Sequence, residues 1–228
     1  MSNQLVALIL GAGPNVGQHL SRALAIKGYK VALASRSGRQ DDSAPGQTSF
    51  QVDLSDPSTV AELFAKVKET LGIPSVVVYN AAAGTLNQPK NSFSVSLADF
   101  TKDLNINTTS VFAAAQQAVV GFEQLPDSAS RTFIYTGNIM NTGTVIAPLM
   151  TAGVGKSASA HLLQNAAAAY ADRGFKFYYA DERNEDGSPV YSKISGEGHA
   201  QHYVELTESK EQGPWQQTFV SGQGYKRF

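Results

Sequence analysis

Apolar and polar positions switch between two periods along this chain. Leu5–Leu10 is an unbroken apolar run ending at Gly11, the pattern of a strand buried on both faces. From Asn15 to about Gly28 the period becomes helical, with Leu20, Ala23 and Leu24 on one face. Tyr29–Ser35 predicts a second buried strand, Arg36–Gln47 a polar loop, and Ser49–Val52 a short third strand. Asp56-Pro57 opens a helix, since Asp can cap and Pro is tolerated in a first turn; Val60, Leu63, Phe64 and Val67 form its apolar face.

Val76–Tyr79 predicts a fourth strand and Arg131–Thr136 a fifth. Between them Ser96–Phe122 predicts one long helix capped by Ser96. A helix over Leu149–Asp172 ends at Gly174, and Phe175–Tyr179 is a sixth strand. After a polar loop with Asp186-Gly187 and Pro189, Gly198–Lys210 predicts a helix and Trp215–Val220 a last strand. Strands separated by long helices imply a parallel sheet with right-handed crossovers. No spacing marks a second domain, so residues 1–228 read as a single α/β unit.

Composition removes several functions. The 228 residues contain no cysteine, which excludes a disulfide scaffold, a thiolate-held zinc or iron–sulfur site and a thiol nucleophile. Eighteen Lys and Arg against 19 Asp and Glu argue against nucleic acid as a partner. Met1-Ser2-Asn3-Gln4 lacks a basic leader, and no stretch approaches the roughly 20 apolar residues of a membrane span. The expectation is a cytoplasmic protein with no membrane partner.

The turn after the first strand reads Gly11-Ala12-Gly13-Pro14-Asn15-Val16-Gly17. Glycines between a strand and a helix let the backbone approach a pyrophosphate resting on the helix N-terminus. The spacing is not G-x-G-x-x-G, because Val16 stands where the third glycine would be. Asn15 tolerates a left-handed backbone and can carry such a turn. The second strand ends in Ser35-Arg36, without the acid that binds a ribose 2′-hydroxyl. A guanidinium there suits a 2′-phosphate, which favours NADP(H) over NAD(H).

These residues resemble the short-chain dehydrogenase/reductase family, whose turn is G-x-x-x-G-x-G; Gly11 and Gly17 match, and Asn15 replaces the middle glycine. The resemblance covers roughly residues 4–180. It implies a Rossmann-type doubly wound parallel sheet, NADP(H) as cofactor and a small-molecule carbonyl or alcohol as substrate. It assigns Asp53 and Leu54 to the adenine, and Asn80, Ala81 and Ala82 to the segment after the fourth strand. Gly11, Gly13, Pro14, Asn15, Val16, Gly17, Ser35, Arg36 and Lys156, the last implied to hold the nicotinamide ribose, complete the implied cofactor set. Asn107 corresponds to the asparagine that organises a proton-relay water.

The family's catalytic pair, Tyr-x-x-x-Lys on one helix face, is matched only at Lys156; Ala152 stands in the tyrosine position. Asn138 or Ile139 occupies the serine slot, and Ala180-Asp181 replaces the usual Pro-Gly. Lys156, Asn107 and Asn138 are therefore the catalytic candidates. Three functions follow: an atypical NADP(H)-dependent oxidoreductase, a cofactor-binding protein without turnover acting as sensor or partner, and a lyase, isomerase or cyclase. The last would use room left at Ala152 and Gly153.

Other features carry less. Gly153-Val154-Gly155-Lys156-Ser157 imitates the end of a phosphate-binding loop, but Met150 stands where its first glycine belongs. His199 and His202, near Glu197, have metal-like spacing on a polar helix and read as a solvated face, so no metal is expected. His161 reads as a packing histidine. Tyr178, Tyr179 and Asp181 are better placed, where the sixth strand meets the cleft, although the tyrosines read as core. The tail residues Trp215, Phe219, Tyr225 and Phe228 read as packing on the sheet edge or a neighbouring subunit.

Charged residues make up 16% of the chain, against about 25% in ordinary domains. The Ala-rich helices Ser96–Phe122 and Leu149–Asp172 would then bury faces against a symmetry mate, giving a homodimer or homotetramer.

Overall fold

A computed structural model describes residues 5–38 and 45–228. Residues 1–4, and positions 39–44 within the stretch expected as a polar loop, lie outside the described residues. Among the described residues eight strands form one sheet: β1 (Val6–Leu10), β2 (Lys30–Ser35), β3 (Gln47–Gln51), β4 (Val76–Tyr79), β5 (Thr132–Thr136), β6 (Lys176–Glu182), β7 (Gln216–Val220) and β8 (Gly224–Tyr225). Their order is β3-β2-β1-β4-β5-β6-β7-β8, and the sheet is parallel from β3 to β7. Only β8 runs antiparallel, a two-residue edge strand the sequence reading missed. The strand order reverses direction between β1 and β4, which opens a crevice outside their carboxyl ends.

Among the described residues six α-helices flank the sheet: α1 (Val16–Ile26), α2 (Thr59–Thr70), α3 (Leu97–Leu104), α4 (Ser110–Phe122), α5 (Met150–Ala169) and α6 (Gly196–Glu208). On one face α2, α4 and α5 bury Leu63, Phe122 and Leu163 against Leu8, Val77 and Phe133. On the other, α1 and α6 bury Leu20, Leu24 and Tyr203 against Ile9, Val78 and Phe219. Both faces are covered, which is why the strands read as continuous apolar runs rather than alternating ones. No helix among the described residues is long and apolar enough to cross a membrane.

Several predicted elements are corrected. The helix expected over Ser96–Phe122 is interrupted by a π-turn at Asn105–Thr109. There Asn107 turns both groups of its amide to the backbone of Ala83, and Tyr79, Tyr135 and Ser159 donate hydroxyls to the carbonyls of Ile106 and Asn107. Ser96 does cap α3, accepting from Asp99 N at 3.0 Å. Asp56 does not cap α2; its carboxylate holds Ser58, and the helix starts at Thr59.

Strand β6 runs three residues past the predicted end, because Asp181 and Glu182 are buried with partners rather than solvated. Helix α6 is not a solvated face either. It packs against α1 and β7, leaving His199 and His202 buried, with His202 stacked on Phe219 at 4.4 Å. His161, expected in the packing, is exposed on α5. Of the tail aromatics, Phe219 is core, whereas Tyr225 and Phe228 are half exposed at the sheet edge, with Phe228 against Gly187.

Lys176, buried at the start of β6, donates to the carbonyls of Leu206, Thr207 and Ser209 and so closes the C-terminus of α6. Burial, with Arg131 nearby, holds its amine down to about 8.

Candidate functional site

A cleft of about 590 Å³ opens at the carboxyl ends of β1, β4, β5 and β6. Among the expected site residues, Gly13, Pro14, Asn15, Val16, Asn80, Ala82, Asn138 and Lys156 line it. Others lie elsewhere. Gly11, Gly17 and Ala81 form its foundation. Leu54 is core, Ser35 is the last residue of β2 with Arg36 following it, and Asp53 lies just after β3. Asn107 is fully buried and does not line the cleft.

The β1 end is built by backbone. Gly11 has φ +86°, and a side-chain carbon there would come within 2.5 Å of Ala81 N. Asn80 locks the same junction by donating its Nδ2 to Gly11 O at 2.9 Å. A carbon added at Gly13 would meet nothing within 4 Å, so the cleft floor is open there. The backbone of Asn15 is not left-handed, contrary to the expectation from sequence; φ is −95°. Its side chain does not cap α1 but donates to Ile194 O at 3.0 Å, tying the segment before α6 across the cleft. The first turn of α1 thus carries no side-chain cap: Gln18 N donates to Gly13 O at 3.1 Å, and the N–H groups ahead of it have the placement that holds an anion.

At the β2 end, Arg36 is exposed and Ser35 Oγ accepts from Gly38 N at 3.3 Å. Asp53 accepts from the backbone and hydroxyl of Ser55, which hold its carboxyl below the usual range.

The β5–β6 end is built by side chains. Tyr79, Tyr135 and Tyr179 stand in register on adjacent strands as a stacked row, with centroids 5.8 and 5.5 Å apart. Tyr179 lies across Gly137, where an added carbon would fall 2.1 Å from the ring, and its hydroxyl bridges the N–H and carbonyl of Asn138. Asn138 Oδ1 accepts from Met140 N, leaving its Nδ2 without a hydrogen bond among the described residues.

Lys156 reaches up from α5. Its Nζ donates to Thr136 O at 2.8 Å and sits 4.3 Å over the Tyr135 ring. Burial pulls this amine down to about 7, opposed by the nearby Asp181 carboxylate.

Asp181 pairs with Arg183 at 2.5 Å, both buried. Burial nevertheless raises its carboxyl above the usual range. Glu182 accepts from Ser195 N at 2.8 Å and faces His199 Nδ1 at 3.4 Å. His199 gives that nitrogen's proton to Ser195 O, and burial drops the imidazole to about 4. It is neutral at neutral pH, so the contact with Glu182 is not an ion pair.

Glu182, Tyr191 and His199 are cleft residues that sequence reasoning missed. The signal for Asp181 and Arg183 was an opposite-charge pair two residues apart, hence on one strand face.

Ala152, four residues before Lys156, is buried and does not line the cleft. A carbon added to Gly84 would lie 3.3 Å from its Cβ, so the segment after β4 rests on it. The room expected at this position is filled by backbone. Gly153 lines a neighbouring hollow of about 500 Å³ that shares Met140, Ile146 and Leu149 with the main cleft.

The family model described as enoyl-(acyl carrier protein) reductase matches residues 11–179. The short chain dehydrogenase/reductase dmxR12 of Cryptosporiopsis sp. (strain 8999) is 48% identical over 239 residues, covering 100% of this chain and 96% of that protein. A metagenomic short-chain oxidoreductase solved in complex with NADP superposes with a TM-score of 0.78 at 18% identity, covering 95% of this chain and 96% of that one. BdcA, solved in complex with NADPH, superposes with a TM-score of 0.73 at 16% identity, covering 100% and 97%. With a relative 48% identical across nearly all of both chains and a family match over residues 11–179, the chain belongs to the short-chain dehydrogenase/reductase family.

Proposed function

We propose that this protein is an atypical NADP(H)-dependent oxidoreductase, a single domain acting on a carbonyl or alcohol. One observation carries the reading: the uncapped first turn of α1, open at Gly13, and the amine of Lys156 line the same cleft. The residues fit the cofactor. Gly13 to Val16 would hold its pyrophosphate, Asp53 with Leu54 its adenine, and Arg36 a 2′-phosphate. When bound, the nicotinamide supplies or accepts hydride.

This chain's own residues do the rest. Asn138 Nδ2 donates to a substrate oxygen and polarises it. Asn107, with every polar group engaged, acts as a positioning residue: it fixes the π-turn and the segment around Ala83. Apolar walls from Ile139, Met140, Ile146 and Leu149 exclude water from the reacting carbon. No substrate phenol partner stands four residues before Lys156, which is the sense in which the protein is atypical.

NADPH oxidation with a broad carbonyl panel tests this reading. Turnover above the uncatalysed rate supports it; none with any carbonyl contradicts it. A second reading, tight NADPH binding without turnover, is favoured by the burial of Ala152 beneath Gly84. Binding with no consumption would establish it. The exposed Phe112 and Val120 on α4 and Val154 on α5 support the homodimer or homotetramer expected from the low charge. A monomer by sedimentation at micromolar concentration would refute that.

A further inference from the structure

The phenols around the cleft floor are all engaged. Tyr79, Tyr135, Tyr179 and Tyr203 donate their hydroxyls to Ile106 O, Asn107 O, Asn138 O and Thr136 Oγ1. All four are fully buried and none lines the cleft. Tyr178 points its hydroxyl to Glu211 O on the other face of the sheet. The titratable groups that do line the cleft are Lys156, Asp181, Glu182, Tyr191 and His199.

Four of these five are poorly suited to proton transfer at the floor. His199 is neutral and gives its Nδ1 proton to Ser195 O. Asp181 is held by Arg183, and Glu182 by Ser195 N. Tyr191 sits at the mouth, 66% exposed. Lys156 Nζ makes a single hydrogen bond, to Thr136 O, so an ammonium there keeps protons to give.

We propose that Lys156 is itself the acid–base residue of this cleft, passing a proton directly to or from the substrate oxygen with no tyrosine between. The proposal rests on the oxidoreductase reading above. In the reducing direction the carbonyl carbon gains the hydride of a reduced nicotinamide, which ends as the oxidised ring. The C=O π pair moves onto oxygen, and that oxygen takes a proton from the Lys156 ammonium. The neutral amine left behind regains a proton from solvent.

The groups facing Lys156 are Tyr135 and Thr136 from β5, and Asp181 with its partner Arg183 from β6. At the cleft wall Glu182 ends β6 and His199 stands on α6. Burial is the dominant influence on the amine and brings it to about 7, so both of its forms are populated at neutral pH.

The test combines two measurements on the full-length protein. The ¹³Cε resonances of labelled lysines are followed against pH, with Lys156→Arg and Lys156→Gln assigning the Lys156 signal. NADPH binding and its oxidation by phenanthrenequinone are measured in parallel. The expected result is a Lys156 midpoint near 7. Turnover by Lys156→Arg should fall about 10²-fold or more at mildly acid pH, with the alkaline break of the wild-type rate profile abolished. A Lys156 midpoint in the ordinary lysine range overturns the proposal, and this measurement needs no variant to be active. Turnover by Lys156→Arg within about threefold of wild type overturns it too, with the oxidoreductase reading intact. NADPH binding without oxidation by the wild type overturns it in favour of the silent binder. No NADPH binding removes the reading and the proposal together.

Discussion

One cleft has two differently constructed ends. At the β1 end, shape comes from backbone: Gly11 pressed on Ala81, an open Gly13, and an uncapped helix turn. At the β5–β6 end, shape comes from buried side chains interlocked across strands: Tyr179 over Gly137, Lys156 over Tyr135, Asp181 with Arg183. Backbone devices leave a mark in a few neighbouring residues. Side-chain networks draw partners from anywhere in the chain. On the proposed reading the first end would hold a cofactor in a general way, whereas the second is free to be rebuilt for particular chemistry.

The largest expected effect contrasts two glycines. Gly137→Ala places a carbon inside the Tyr179 ring contact, at 2.1 Å, and should cost about 3 kcal/mol or more in urea unfolding. Gly13→Ala meets nothing within 4 Å and should leave stability within about 0.5 kcal/mol. It should nevertheless weaken NADPH binding about tenfold, since on the proposed reading the methyl would enter the space for the phosphate. Equal effects on stability would break the distinction between the two ends.

Acid should loosen the β6 end. The folded state holds His199 at about 4, below its ordinary 6.5, so the folded protein binds fewer protons than the unfolded chain. The stability this represents is present above about 6.5 and is lost as pH falls toward 4, on the order of 3 kcal/mol. Urea midpoints across that window should fall for the wild type and fall less for His199→Asn. Parallel curves would refute the assignment.

Ala152→Tyr comes next. Because Gly84 rests on Ala152, a ring there should cost about 1–3 kcal/mol and bring no gain in NADPH oxidation. A stable variant with raised turnover would show that the cleft lacks only a phenol. Smallest is Arg36→Ala at the β2 end. The exposed guanidinium contributes little to folding, but its loss should lower the preference for NADPH over NADH about tenfold. An unchanged ratio of dissociation constants would move recognition of the 2′-phosphate elsewhere.

The sequence exposed the first end far better than the second. A strand–glycine–helix junction is local, and Gly11 to Gly17 announced it. The single α/β sheet was legible for the same reason, in apolar runs ended by glycine and proline. At the end of β6 only the position of Asp181 beside the cleft was legible; the strand's extension to Glu182 was not, because it depends on Arg183, Ser195 and His199. Helix α6 misled likewise: its histidines are buried by Phe219, a residue far along the chain. The π-turn in the long helix depends on Ala83 and on tyrosines from two strands, none of them helical neighbours of Asn107.

The most direct test of the central claim is an equilibrium fluorescence titration of the wild-type protein with NADPH, set beside Gly13→Ala and Lys156→Gln. The account predicts saturable binding by the wild type, weaker binding by Gly13→Ala, and cofactor that Lys156→Gln still binds but does not oxidise. No saturable NADPH binding by a folded wild type would contradict it.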